Sequence, residues 1–174
     1  LLIVGLAPAA HGGNRTGRMF TGDESGKWLY RALYKSGFAN QADSYHVNDG
    51  LKLNDCRITA VVHCAPPQNK PTAEEINNCK RWFDDTFYLF STRIILALGA
   101  LAWNAVLKDL KTRFIIPQNK FKFSHGARFK INSKLRVIAS YHPSQQNTFT
   151  GVLTENMFDE IFKTIRKYLL SDTI

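Results

Sequence analysis

Near its start the chain reads Gly5-Leu6-Ala7-Pro8-Ala9-Ala10-His11-Gly12-Gly13-Asn14-Arg15-Thr16-Gly17-Arg18-Met19-Phe20-Thr21-Gly22-Asp23. Glycines let a backbone approach a ligand closely, arginines match phosphate oxygens, and an aromatic ring stacks on a flat heterocycle. Two further segments carry reactive or polar side chains close together: His63-Cys64-Ala65-Pro66-Pro67-Gln68-Asn69-Lys70-Pro71 and Tyr141-His142-Pro143-Ser144-Gln145-Gln146-Asn147-Thr148-Phe149-Thr150-Gly151. An imidazole donates a hydrogen bond near neutral pH, whereas the amides of Asn14 and Asn69 orient a water without taking its proton.

For these segments to cooperate, elements must bring them together. Four apolar runs read as core strands: Leu1–Ala7, Ile58–Cys64, Arg93–Leu98 and Arg136–Tyr141. Each is nearly continuous rather than alternating, the pattern of strands covered on both faces. Helical patterns lie between them. Glu24–Lys35 stops before Gly37, Thr72–Glu75 fits a capping box, and Ile76, Cys79, Phe83, Phe87 and Phe90 line one face of the helix it starts. Ala100–Leu110 is a third helix, and Thr154 caps a last one striped by Phe158, Ile161, Phe162, Ile165 and Leu169. Alternating strands and helices predict a four-stranded parallel sheet between two helical layers, an α/β/α sandwich. The basic stretch Lys111–Lys134 reads as a hairpin or a long loop. The three polar segments each follow a strand, so they emerge on one sheet edge, where such folds bind ligands.

The 174 residues fit one domain, with no convincing linker. A net charge of +9 favours a polyanionic partner, although a basic protein without a nucleic-acid role has the same balance. No apolar run approaches the roughly 20 residues that span a bilayer, and no signal peptide is visible. The cysteines Cys56, Cys64 and Cys79 do not form a secreted disulfide framework, so a reducing cytoplasm, close to the nucleoid, is the expected location. The chain opens inside a strand without Met, and a preceding segment is expected.

The opening segment and its Phe20-Thr21-Gly22-Asp23 end resemble the first motif of the type-b (family 5) uracil-DNA glycosylases. Cys64-Ala65-Pro66-Pro67-Gln68-Asn69-Lys70-Pro71-Thr72 resembles their second motif, and His142 to Gly151 their third. Ser124-His125-Gly126-Ala127 matches a segment seen across the superfamily. The resemblance implies the same α/β/α sandwich and an enzyme of base excision repair, expected to be monofunctional because no lysine stands convincingly in the pocket as a Schiff-base nucleophile. Such an enzyme hydrolyses the N-glycosidic bond of a damaged base in DNA and leaves an abasic site. It swings the nucleotide out of the duplex into a pocket.

Within that resemblance Phe20 stacks on the extruded base, or is a core phenylalanine. His142 donates to uracil O2 as negative charge develops there, or is held by backbone carbonyls at a strand end. Asn14 holds the attacking water, or is a turn residue among glycines. Asn69 contacts base or water, or is a turn residue before Lys70. Better-known uracil glycosylases carry a carboxylate or asparagine where Leu6 and Ala7 stand, and relatives of another type place a uracil-reading asparagine at Ala60. Ala7 and Ala60 in the base-binding positions imply looser discrimination, extending to hypoxanthine and other deaminated bases. Asp23 is the nearest acid, and helix capping explains it equally well. Ser144, Gln145, Gln146, Asn147, Thr148 and Phe149 belong to the segment that enters the duplex. Arg15 and Arg18 are expected phosphate contacts, with Lys70, Lys120, Lys122 and Arg128 behind them.

The resemblance also implies a 4Fe-4S cluster held by four thiolates. Cys64 and Cys79 match two of its ligands, with the other two expected upstream of Leu1, and Cys79 is alternatively an ordinary core residue. The partner is double-stranded or single-stranded DNA, met by a monomer. A protein that clamps lesions without turnover is the alternative. A small-molecule α/β hydrolase is disfavoured because neither G-x-x-x-x-G-K-[ST] nor a clean G-x-G-x-x-G follows a strand.

Overall fold

The computed structural model describes residues 1–88, 91–116 and 121–171. In chain order the elements are β1 (Leu2–Gly5), α1 (Gly13–Thr16), α2 (Glu24–Lys35), β2 (Arg57–Ala60), a 3₁₀ turn (Pro67–Asn69), α3 (Ala73–Tyr88), β3 (Ile94–Leu98), α4 (Ala100–Arg113), β4 (Arg128–Lys130), β5 (Arg136–Ser140), α5 (Gln145–Phe149) and α6 (Glu155–Ser171). The sheet runs in the order β2-β1-β3-β5-β4. The first four of these strands are mutually parallel, and β4 pairs antiparallel with β5 at the edge.

Side chains alternate across a strand, and the apolar runs therefore feed two cores. Ile3, Ile94, Leu96, Leu98 and Ile138 pack with α2 and α6 through Leu29, Leu33, Phe158, Phe162 and Ile165. Leu2, Val4, Ile95, Ala97, Val137 and Ala139 pack on the other face with Trp103, Val106 and Leu110 of α4 and Phe83 of α3. This is the three-layer sandwich, and double coverage is why the strands carry no polar alternation.

The sheet has five strands where four were expected. The fifth, β4, comes from the basic stretch Lys111–Lys134. Phe129 alone turns inward, 5.8 Å from the Trp103 ring and 4.4 Å from Phe121, while Arg128 and Lys130 stay exposed. A three-residue edge strand with one apolar side chain leaves no apolar run in the sequence. The first two strands are also shorter than their apolar runs, because each chain leaves the ladder to build the polar edge.

Local chemistry sets the helix ends. Asp23 caps α2 by accepting the Gly26 N–H at 2.8 Å. The capping box forms reciprocally: Thr72 N–H donates to Glu75 Oε2 at 2.6 Å, and Glu75 N–H to Thr72 Oγ1 at 3.2 Å. Thr154 Oγ1 accepts the Met157 N–H at the start of α6. Phe90, expected on the face of α3, lies outside the described residues. Among the described residues no helix is long and apolar enough to cross a membrane.

Candidate active site

The parallel strands end together, and their following loops surround an open cleft of about 1110 Å³. Loop one contributes Leu6, Ala7, Ala9, Gly22 and Asp23, and loop two contributes Asn69. From the third segment come Tyr141, His142, Ser144, Gln145, Gln146 and Asn147. The junction of β3 and α4, Leu98 to Leu101, forms a fourth wall that no polar motif in the sequence marks. Its only signal was Gly99 between a strand and a helix.

Loop one is fastened at Phe20. That residue is buried and adopts φ 57°, a left-handed conformation rare outside glycine. Tyr30 donates its hydroxyl to the Met19 carbonyl at 2.8 Å. A Cβ at Gly26 would fall 1.8 Å from the Phe20 carbonyl oxygen, and one at Gly5 would fall 3.1 Å from Phe20 Cζ. The Phe20 ring so held lies 5.8 Å from the imidazole of His142, the two planes tilted by 33°. Phe20 is therefore a residue of the core behind the cleft, not one of its walls, and it meets the site through the His142 ring.

His142 follows β5 and is partly buried. Desolvation pushes its imidazole down to about 4, so the ring is neutral near pH 7. A neutral imidazole offers one N–H to a ligand without a standing charge. Asn147 donates from Nδ2 to the His142 carbonyl at 2.8 Å, fixing the loop backbone from α5.

Asn14 sits on α1, exposed, and its Oδ1 accepts the Ala65 N–H at 3.4 Å, joining the first motif to the second. Asn69 is exposed at φ 57° and lines the cleft. Asp23 is a wall of the cleft too, while its Oδ1 caps α2.

Two expectations are corrected. Arg18 turns inward instead of toward a phosphate. Its Nη2 donates to Asp49 Oδ2 at 2.6 Å, Ser44 Oγ at 2.8 Å and the His46 carbonyl at 2.9 Å, and Nε reaches Thr21 Oγ1 at 2.9 Å. The guanidinium holds the Asp49 carboxyl far below the usual carboxylate range. Arg15 remains exposed, bonded through Nε to the His11 carbonyl. Ala60, expected against the base, is instead buried in the β2 ladder opposite Gly5 and is not a wall of the cleft. Ala7 does line it.

The third segment folds as the short helix α5. Ser144 accepts the Asn147 N–H as its cap, and Thr148 Oγ1 donates to the Gln145 carbonyl. Gln145, Gln146 and Phe149 project outward, as do Lys70, Lys122 and Arg128 on their own elements. Lys120 lies outside the described residues.

The thiols of Cys64 and Cys79 are free, the first exposed beyond β2 and the second half-buried on α3. Thiolate is the right donor for an iron-sulfur cluster, but two are half of the four required. Among the described residues no group of three or more His, Cys, Asp or Glu gathers as a metal site. The chain's own described donors therefore do not close one.

Fold and cleft define an α/β protein with an open cleft at the carboxyl edge of its parallel strands. The family model "Uracil DNA glycosylase superfamily" matches residues 1–166. The chain is 50% identical over 169 residues to a type-5 uracil-DNA glycosylase of Mycobacterium leprae, covering 96% of this chain and 72% of that one. Like-named proteins of Pyrobaculum aerophilum and Thermus thermophilus are 46% and 42% identical, over 94% and 96% of this chain and 69% and 74% of theirs. A Mycobacterium tuberculosis relative, 49% identical over 96% of this chain, is spanned over 62% of its length. The chain belongs to the uracil-DNA glycosylase superfamily, on its type-5 branch.

Proposed function

We propose that this protein is a monofunctional DNA glycosylase of base excision repair, hydrolysing the N-glycosidic bond of uracil and leaving an abasic site. The observation that carries the reading is the pairing of Phe20 with a neutral His142 beside a cleft built by all three motifs. His142 donates to the base oxygen on which negative charge grows. A preorganised donor of this kind is worth on the order of 10²–10³-fold in rate. The amides of Asn14 and Asn69 orient the water. Asp23, a carboxylate at the cleft, stabilises positive charge developing on the sugar. No lysine is among the described residues lining the cleft, which favours water over a Schiff-base nucleophile.

Leu6 and Ala7 offer no polar group to one edge of the base, which supports acceptance of hypoxanthine and other deaminated bases beside uracil. Arg15 and Lys70 meet phosphates, and Gln145 and Gln146 enter the duplex. The protein works as a monomer in the cytoplasm, on double-stranded or single-stranded DNA. Cys64 and Cys79 supply two thiolates of a 4Fe-4S cluster whose remaining ligands come from outside residues 1–174, and its role is structural. Iron and acid-labile sulfide assays test that assignment directly.

The central experiment incubates the protein with duplexes carrying uracil, hypoxanthine or no lesion, then breaks abasic sites with alkali. Base-dependent breakage is expected. Tight lesion binding without breakage would replace catalysis with lesion clamping, and indifference to the lesion would remove both.

A further inference from the structure

The segment Ser124-His125-Gly126-Ala127 has no part in the chemistry proposed above, yet it is sewn to the strand that carries His142. Gly126 N–H donates to the Ala139 carbonyl at 2.9 Å, and Ala139 N–H returns to the Ala127 carbonyl at 2.8 Å. Gly126 sits at φ 77°, a turn that places the His125 ring over the end of β5. There His125 Nδ1 accepts the Tyr141 N–H at 3.2 Å, and Nε2 lies 3.3 Å from the Met157 carbonyl on α6. An N–H donor at Nδ1 and a carbonyl at Nε2 specify one tautomer, neutral with its proton on Nε2. The His125 ring also stacks 5.1 Å from that of Tyr141.

We infer that His125 is a positioning residue for base release: by accepting the Tyr141 N–H it fixes the Ser140–Tyr141 peptide, one residue before the backbone that carries His142. Three other bonds hold the same stretch, one of them from Ser140 Oγ to the Tyr141 carbonyl at 2.9 Å. Gly99 N–H donates to the Ser140 carbonyl at 2.8 Å, and Asn147 holds the His142 carbonyl. Of the four, only His125 takes the Tyr141 N–H. Without that acceptor a part-buried N–H is left unpaired, and the peptide rotates to find a partner. His142 moves with it. The inference rests on the role proposed for His142.

The two ring nitrogens are separable by substitution. Asparagine places Oδ1 near the position of Nδ1 and keeps the acceptor for Tyr141. Glutamine places its amide nitrogen near Nε2 and keeps the donor to Met157. Turnover of uracil-containing duplex, thermal melting and the titration of the His142 ring by NMR are measured on both variants.

His125→Gln should lose on the order of 10²-fold in kcat with KM little changed, because misplacement near the chemistry costs about that much. Its His142 titration should move from the depressed value toward that of a free imidazole. His125→Asn should melt lower yet keep kcat within about tenfold of the parent, with the His142 titration in place. Equal behaviour of the two variants, or a loss confined to KM, would overturn the inference. If His125→Asn does not fold, His125→Gln decides alone: unchanged kcat and unchanged His142 titration overturn it. Should the parent release no uracil while the titrations still separate, the positioning role stands and the proposed activity falls.

Discussion

Gly99 stands directly against His142: a Cβ built on it would lie 3.3 Å from the His142 Cβ, and its φ of 92° is one that side chains resist. The junction of β3 and α4 therefore sets how deep the imidazole sits in the cleft. Gly99→Ala should strain the backbone by about 1–3 kcal/mol and displace His142. A kcat lowered by at least about tenfold, with the protein still folded by circular dichroism, is the expected result. Unaltered turnover would show that the imidazole is placed by other contacts.

On the proposed mechanism His142→Ala removes the donor to the departing base. Base release should fall on the order of 10²–10³-fold. The affinity for lesion-bearing duplex should change far less, because Arg15 and the α5 glutamines remain. Single-turnover rates and a binding titration on the same duplex separate the two. Equal losses in both would make His142 a binding residue.

The depressed titration of His142 has a consequence for stability. Its value in the fold, about 4, lies below the 6.5 of a free imidazole, so the unfolded chain takes up this proton first. Stability from this group is complete above the free value and declines as pH falls toward 4. Desolvation lowers His63 and His125 in the same direction. Melting free energy should thus drop between neutral and mildly acid pH, His142 accounting for on the order of 2–3 kcal/mol of the change. His142→Phe should flatten that slope; an identical slope would contradict the burial described here.

Sequence and structure agree where the physics is local or periodic. Leu2 to Val4, Ile94 to Leu98 and Val137 to Ala139 are apolar on both faces because both faces are covered, and that leaves an unmistakable run. The Thr72–Glu75 box shows itself within four residues. Arg18 could not be read this way. Its carboxylate partner Asp49 lies 31 residues further on, in a stretch with no pattern of its own, so an arginine in a glycine-rich loop looked like a phosphate contact. Ala60 was a matter of resemblance and not of pattern: it is the last residue of the β2 ladder, opposite Gly5, buried and apart from the cleft walls. The positive φ of Phe20, and the glycines at positions 5 and 26 that allow it, express contacts between segments and have no signature in any one of them.

If Arg18 serves the fold, its loss should look unlike the loss of a phosphate contact. Asp49→Asn removes the charge that Arg18 pairs with and weakens the loop that holds Ser44 and His46. It should cost about 1.5–3 kcal/mol in denaturant unfolding, the range for hydrogen bonds to charged groups. The salt dependence of DNA binding should stay as in the parent. Arg15→Ala should do the reverse, leaving stability nearly unchanged while reducing the slope of log K against log salt by roughly one phosphate's contribution. A salt slope altered by Asp49→Asn would return the Arg18 network to the DNA interface.

The exposed amides of Gln145 and Gln146 lie on α5, whose cap at Ser144 and whose Asn147 bond to the His142 carbonyl tie it to the loop that carries His142. A helix so anchored presents its side chains at a fixed distance from the cleft, which suits displacement of a base from a stacked duplex. Opening a duplex costs a few kcal/mol that a single strand does not require. Replacing both glutamines by alanine should therefore slow uracil release from duplex by about tenfold or more and leave single-stranded substrate within about threefold. The double variant keeps the backbone bonds of α5, so a loss shared by both substrates would point to disturbance of His142 and not to the extrusion step. Comparing matched duplexes with mispaired ones refines the result, since a mispaired base is already easier to extrude and should recover part of the lost rate.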